Sequence, residues 1–128
     1  MDHIEIYVSD LGKSFQFYSW LLPNFGFKVF QEWDEGFSYR KNDFYIVFVQ
    51  TKCKNLPSTY HRCHVGLNHL AFHCDKIEMI DNIHQYCLDN HLTLLYEEYY
   101  PYAAGKEFYA VFFEDPDRIK IEVRLRKD

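Results

Sequence analysis

Hydrophobic and polar residues alternate in two segments of the chain, residues 3–8 (HIEIYV) and residues 69–74 (HLAFHC). In both segments every second residue is apolar or a cysteine, and a histidine opens the segment. A period of two predicts a β-strand with one apolar face. An aspartate follows each segment, Asp10 in the first and Asp75 in the second. Aspartate in this place is typical of a helix N-cap, so each strand is predicted to lead into a helix.

The order of predicted elements then repeats along the chain. Each helical pattern is followed by three strand-like runs separated by turn residues. These runs are 27–33, 37–40 and 44–50 in the first half, and 92–98, 108–114 and 118–125 in the second. His3 and His69 begin equivalent strands, 66 residues apart. The sequence therefore predicts an α+β fold made of two βαβββ modules.

The predicted boundaries place one module at about residues 1–50, a linker at about 51–65 and the second module at about 66–128. The length favours a single domain that contains both modules. A further loop at 99–106 is rich in tyrosine, and we expect that it could cover a site as a lid.

Polar side chains occupy the strand positions that alternate with the apolar row. They are His3, Glu5 and Tyr7 in the first module, and His69 and His73, beside Ala71, in the second. A helix would cover the apolar row in each module. Polar residues on the other face of a sheet indicate a hydrated cavity or a ligand site.

Composition narrows the possible partners and location. Hydrophobic residues make up 48% of the chain and the net charge is −5, with no basic stripe. Nucleic acid is therefore a poor candidate partner, because phosphate binding needs clustered Lys and Arg. No apolar run has the length of a membrane span, and no targeting segment is evident. The four cysteines form no CxxC pair, so we expect free thiols in a reducing cytoplasm.

Three stretches resemble the vicinal oxygen chelate superfamily, which includes glyoxalase I, bleomycin-resistance and fosfomycin-resistance proteins and extradiol dioxygenases. They are residues 2–22 (DHIEIYVSDLGKSFQFYSWLL), 66–74 (GLNHLAFHC) and 111–123 (VFFEDPDRIKIEV). Arg118 stands where the family's DPDG turn has glycine. The resemblance implies two βαβββ modules whose mixed sheets curl around a shared cavity.

The resemblance also implies a divalent metal bound by His3, His69 and Glu122. Two imidazoles and one carboxylate suit Fe, Mn, Ni, Co or Zn and leave coordination positions open for substrate. Glyoxalase I adds a glutamate from the first module. Counting from the turn before that strand gives Phe48 at the matching place, with Gln50 two residues further. Glu5, on the polar face, is a candidate base in place of that glutamate.

Further residues are candidates for substrate contact because they share the polar face or directly follow the tyrosine-rich loop. Lys120 and Arg124 would suit a carboxylate or phosphonate substrate. The candidate substrate-binding residues are Tyr7, Phe48, Gln50, His73, Tyr109, Lys120 and Arg124.

Two classes of function follow. The first is a metal-dependent lyase or isomerase of the glyoxalase type, acting as a homodimer on a small oxygen-rich substrate. The second is a metal-free ligand-binding protein of the bleomycin-resistance type. A thiol transferase or a dioxygenase of the same superfamily also remains open. The metal content of the protein separates the first class from the second.

Overall fold

Each half of the chain forms a four-stranded mixed sheet with one α-helix in a computed structural model that describes residues 1–58 and 60–127. The chain divides into two compact units, Met1–Thr59 and Tyr60–Asp128. The predicted α+β class and the repeated βαβββ order are confirmed. Thr59, in the predicted linker, and Asp128 lie outside the described residues. Among the described residues, no helix is long and apolar enough to span a membrane.

The first unit follows the predicted order of elements closely. Its strands are arranged β1-β4-β3-β2, with β1 parallel to β4 and the other neighbours antiparallel. The elements are β1 (His3–Val8), α1 (Leu11–Leu21), β2 (Lys28–Trp33), β3 (Gly36–Lys41) and β4 (Phe44–Gln50).

Helix α1 begins at the predicted cap and covers one face of the first sheet. The side chain of Asp10 accepts a hydrogen bond from the Lys13 backbone N–H, which satisfies one of the free donors at the helix start. Tyr18 and Leu21 of α1 are fully buried. The ring of Tyr18 stacks on Phe48 of β4 at 4.1 Å between centroids, so this contact joins the helix to the sheet.

The second unit repeats the topology of the first. Its strands are arranged β5-β8-β7-β6, and β5 pairs with β8 in parallel as β1 pairs with β4. Ile80, Ile83 and Cys87 of the helix are buried, as are Ile121 and Val123 of the sheet. The elements are β5 (His69–Cys74), α2 (Ile77–Asp89), β6 (Leu94–Leu95), β7 (Ala110–Glu114) and β8 (Lys120–Leu125).

Two local predictions for the second unit are wrong. The predicted strand 92–98 contains only the two paired residues of β6, because Tyr96 adopts a left-handed backbone (φ 57°) and a 3-10 turn follows. Asp75 is not the N-cap of α2: Lys76 holds that position without a side-chain cap. The carboxylate of Asp75 instead accepts a hydrogen bond from Arg126 Nε at 2.9 Å.

Candidate functional site

The pairing of strands decides which side chains share a face of the second sheet. Glu122 in β8 lies opposite Ala71 of β5 and Phe112 of β7. Its neighbours Ile121 and Val123 point to the side covered by α2, because successive residues of a strand alternate between faces. Glu122 therefore lies on the far face, which is the face of each sheet opposite its helix. This agrees with the parity predicted from the sequence.

His69 and Glu122 meet on the far face of the second sheet. His69 Nε2 lies 3.1 Å from Glu122 Oε1. The Glu122 side chain is only 7% exposed, whereas that of His69 is 32% exposed. Within the described residues, Glu122 Oε2 is buried and accepts no hydrogen bond; its nearest cation is Arg124 Nε at 3.5 Å. A buried carboxylate oxygen without a donor is costly, so this atom has unused capacity to bind a cation.

The other nitrogen of His69 is held by the residue before it. His69 Nδ1 lies 2.7 Å from Asn68 Oδ1, and since a carbonyl oxygen can only accept, Nδ1 carries the proton. In neutral histidine Nε2 then has a lone pair, and this lone pair faces the carboxylate of Glu122. Two acceptors 3.1 Å apart need a proton or a metal ion between them.

The first unit holds His3 in a matching way. His3 Nδ1 lies 2.6 Å from Asp2 Oδ2, and the imidazole stacks on Tyr45 at 4.6 Å between centroids. Asp2 and Asn68 are 66 residues apart, the same offset as the two histidines. In both units the preceding residue thus contacts Nδ1 of the histidine and not Nε2. Sequence reasoning missed Asp2 and Asn68, although the offset itself would have paired them.

The placement predicted for Phe48 is wrong. In the second unit Glu122 pairs with Ala71, and the equivalent pair in the first unit is Val47 with Glu5. Val47 is therefore the counterpart of Glu122 and offers no ligand atom. Phe48 pairs with Ile6, lies on the helix side and is fully buried against Tyr18. The count from the turn erred by one residue, which moves a side chain to the other face of the sheet.

Gln50 lies on the helix side of the sheet, as Phe48 does. Its predicted place on the polar face is therefore also wrong. Its Oε1 accepts a hydrogen bond from the Leu11 backbone N–H at 2.8 Å. Its Nε2 donates to the carbonyl of Ser9 at 2.9 Å. These bonds fix the connection between β1 and α1, so the amide of Gln50 is occupied by a structural role.

Glu5, Tyr7 and His73 lie on the far faces of their sheets, as predicted. Glu5 and Tyr7 are exposed, and the Tyr7 side chain is among the most accessible aromatic groups, at 69%. His73 is exposed as well, and Arg126 Nη2 lies 3.2 Å from its Nδ1. His73 stands four residues from His69 on β5, roughly 13 Å along the strand.

Tyr109 is directed to α2 and not to the far face. Its hydroxyl and that of Tyr100 both donate to Asp81 Oδ1 on α2, the latter at 2.6 Å. Burial and the hydrogen bond to Asp81 raise the pKa of Tyr100. His84 of α2 stacks on Tyr100 and bonds to Glu97 at 2.8 Å. Tyr100, from the predicted lid, and Tyr109, which follows it, therefore attach this segment to the helix.

The structure brings together two of the three predicted metal ligands, His69 and Glu122. Across residues 1–58 and 60–127, no group of three or more His, Cys, Asp or Glu side chains forms a metal-binding cluster. Histidine nitrogen and carboxylate oxygen are ordinary ligands of divalent transition metals. Two ligands each about 2.1 Å from one metal lie roughly 3 Å apart, so the observed pair fits a shared ion.

Comparison with known proteins decides the family. Residues 1–123 match the model of the Glyoxalase/Bleomycin resistance protein/Dioxygenase superfamily. The chain belongs to this superfamily. An uncharacterised protein of Bacillus subtilis strain 168, YqjT, is 47% identical over 123 residues, which are 96% of each chain. This confirms the resemblance that the motifs indicated.

Solved structures of this superfamily share the fold. A proposed glyoxalase from Bacillus halodurans is 42% identical, with a TM-score of 0.95 over 98% of this chain and 95% of that chain. The fosfomycin resistance protein FosX from Listeria monocytogenes has a TM-score of 0.71 at 20% identity, over 99% of this chain and 93% of that chain. At this lower identity the likeness concerns the fold alone.

Proposed function

We propose that the chain is a divalent-metal-dependent enzyme of the lyase or isomerase type that acts on a small oxygen-rich substrate. The observation that supports this most strongly is the pair of His69 Nε2 and Glu122 Oε1, 3.1 Å apart. Asn68 fixes the tautomer that turns a lone pair toward the carboxylate. The second oxygen of Glu122 is buried and accepts no hydrogen bond from the described residues. Both features favour a cation at this place.

The candidate residues on the far faces of the sheets have roles in this proposal. His69 and Glu122 would hold nickel, zinc, manganese, iron or cobalt, and His3 is the proposed third ligand, from the same chain or from the partner of a homodimer. The metal would polarise substrate oxygens and stabilise negative charge on them. Glu5, exposed on the far face of the first sheet, is the proposed acceptor of the substrate proton. Tyr7 and His73 are proposed substrate contacts, and the cytoplasm is the proposed location.

Metal content tests this proposal. Protein purified without a histidine tag or chelator is expected to hold about one equivalent of metal per chain, as the triad would bind a single ion. His69→Ala and His3→Ala are expected to lose it. The matched control is His91→Asn, because His91 is exposed at a left-handed position that asparagine tolerates. Protein that holds no metal and takes up none of the five ions would contradict the proposal.

Asn68 is expected to strengthen metal binding without being a ligand of the ion. Asn68→Ala removes the acceptor of the His69 Nδ1 proton, and loss of such a partner typically weakens metal binding about 10- to 100-fold. Asn68→Asp retains an acceptor and should keep or tighten binding. Competition with a fluorescent chelator measures both affinities. Equal affinity of Asn68→Ala and wild type would show that the tautomer is set by other groups.

A second candidate, a metal-free binding protein, is favoured by aromatic rings on the first sheet. Tyr45 stacks with His3 and contacts Phe30 at 5.2 Å between centroids. The indole of Trp33 fills the space where a side chain at Gly36 would lie. Phe30 and Trp33 are 39% and 44% exposed, so they could stack on a flat ligand. Absence of metal in the measurement above would favour this candidate.

A further inference from the structure

The far face of the second sheet carries an excess of positive charge once its ion pairs are considered. Among the described residues of β5, β7 and β8 on this face, the carboxylates are Glu114 and Glu122. Glu114 Oε2 lies 3.0 Å from Arg118 Nε and 3.6 Å from Arg62 Nη1. Glu114 is therefore fully compensated. Among the described residues of these strands, this leaves Glu122 to compensate the positive charges of the other cations on the face.

Two of these cations, Lys120 and Arg124, flank Glu122 on β8. Each is two residues away, so all three side chains share a face. Lys120 Nζ lies 3.4 Å from the Tyr96 hydroxyl and 5.5 Å from the centre of its ring. The guanidinium of Arg124 lies 3.9 Å from the centre of the Phe108 ring. Aromatic rings position a cation without neutralising it, so both groups keep their charge for a ligand.

We propose that Lys120 and Arg124 bind the anionic group of the substrate, which makes the substrate a small carboxylate or phosphonate. The inference rests on the proposed function, because a metal ion on Glu122 would compensate the carboxylate that now faces Arg124 at 3.5 Å. The guanidinium of Arg124 can then donate two parallel hydrogen bonds to two oxygens of one anion. The ammonium group of Lys120 adds a second positive charge. The net charge of −5 does not oppose this, since distant surface charges are screened.

Titration of zinc-loaded protein with methylphosphonate, and separately with acetate, tests the inference. The Arg124 Nε–H signal, assigned by its loss in Arg124→Gln, is expected to shift and saturate with one or both anions. Arg124→Gln is expected to weaken binding by about tenfold or more, the effect of losing a charge-assisted bidentate contact. Lys120→Gln should weaken it less. Lys76→Gln, an exposed lysine at the start of α2, is the control and should bind as wild type does.

The outcomes separate this inference from the proposed function. Binding of one anion alone identifies the substrate group as phosphonate or carboxylate. Equal affinity of Arg124→Gln and Lys76→Gln, or no shift with either anion, would overturn the inference, while an unchanged metal content would keep the proposed function. If the protein takes up no metal, the proposed function fails. Titration of metal-free Glu122→Gln then decides the inference alone, because this substitution removes the negative charge that faces Arg124 and keeps both cations.

Discussion

Glu122→Gln is expected to stabilise the metal-free protein and to abolish its stabilisation by metal. The variant amide can donate a hydrogen bond to His69 Nε2 and turn its oxygen to Arg124, which removes the conflict between two acceptors. Relief of a buried, unsatisfied charge should raise the free energy of unfolding by about 1–3 kcal/mol. Wild type instead gains about 4 kcal/mol from metal at a thousand times its dissociation constant.

Urea unfolding of both proteins, with a chelator and with the metal found in the purified protein, measures this crossover. Wild type should be the less stable protein without metal and the more stable one with it. If the pair of His69 and Glu122 has only a structural role, wild type should be the more stable protein in both conditions. If His69 and Glu122 form only an ion pair through a proton, Glu122→Gln breaks a buried pair and costs about 3–5 kcal/mol, and metal changes neither protein. His91→Asn serves again as the control, since it is expected to behave as wild type in both conditions.

The sequence was sufficient for those parts of the fold that local patterns determine. Alternation placed β1 and β5 at the residues where the structure has them, and Asp10 caps α1 as predicted. Alternation also placed His69 and Glu122 each on the polar row of its own strand; the resemblance implied that they act together, and the structure has them in contact. These predictions succeeded because a period of two assigns a face within a single strand, without information from other strands.

Predictions that needed information from another element failed. Asp75 resembles an N-cap, but β8 pairs with β5 as far as Leu125. Arg126, the next residue, donates a hydrogen bond to the carboxylate of Asp75. Tyr109 was expected near the substrate because it follows the tyrosine-rich loop, yet α2 offers Asp81 as an acceptor. In both cases a charged partner distant in sequence decides where the side chain goes. A pattern confined to a short window contains no information about that partner.

Phe48→Ala is expected to destabilise the protein by about 3–5 kcal/mol, the usual cost of removing a buried aromatic ring. Phe48 is fully buried between Tyr18 at 4.1 Å and Phe37 at 4.8 Å, measured between ring centroids. Its removal would take away the ring on which both Tyr18 of α1 and Phe37 of β3 stack, and would leave a cavity between them. Urea unfolding, monitored by circular dichroism, measures the loss.

Phe30→Ala is the matched control, because Phe30 is an aromatic residue of the same unit but is 39% exposed. It should cost about 1 kcal/mol or less, since a partly exposed ring forfeits less burial. The contrast tests the face assignment of β4. If Phe48 instead contacted substrate on the far face, its removal would change ligand binding and cost little stability. The two losses would then be similar, and the pairing of Val47 with Glu5, which places Phe48 under α1, would be contradicted.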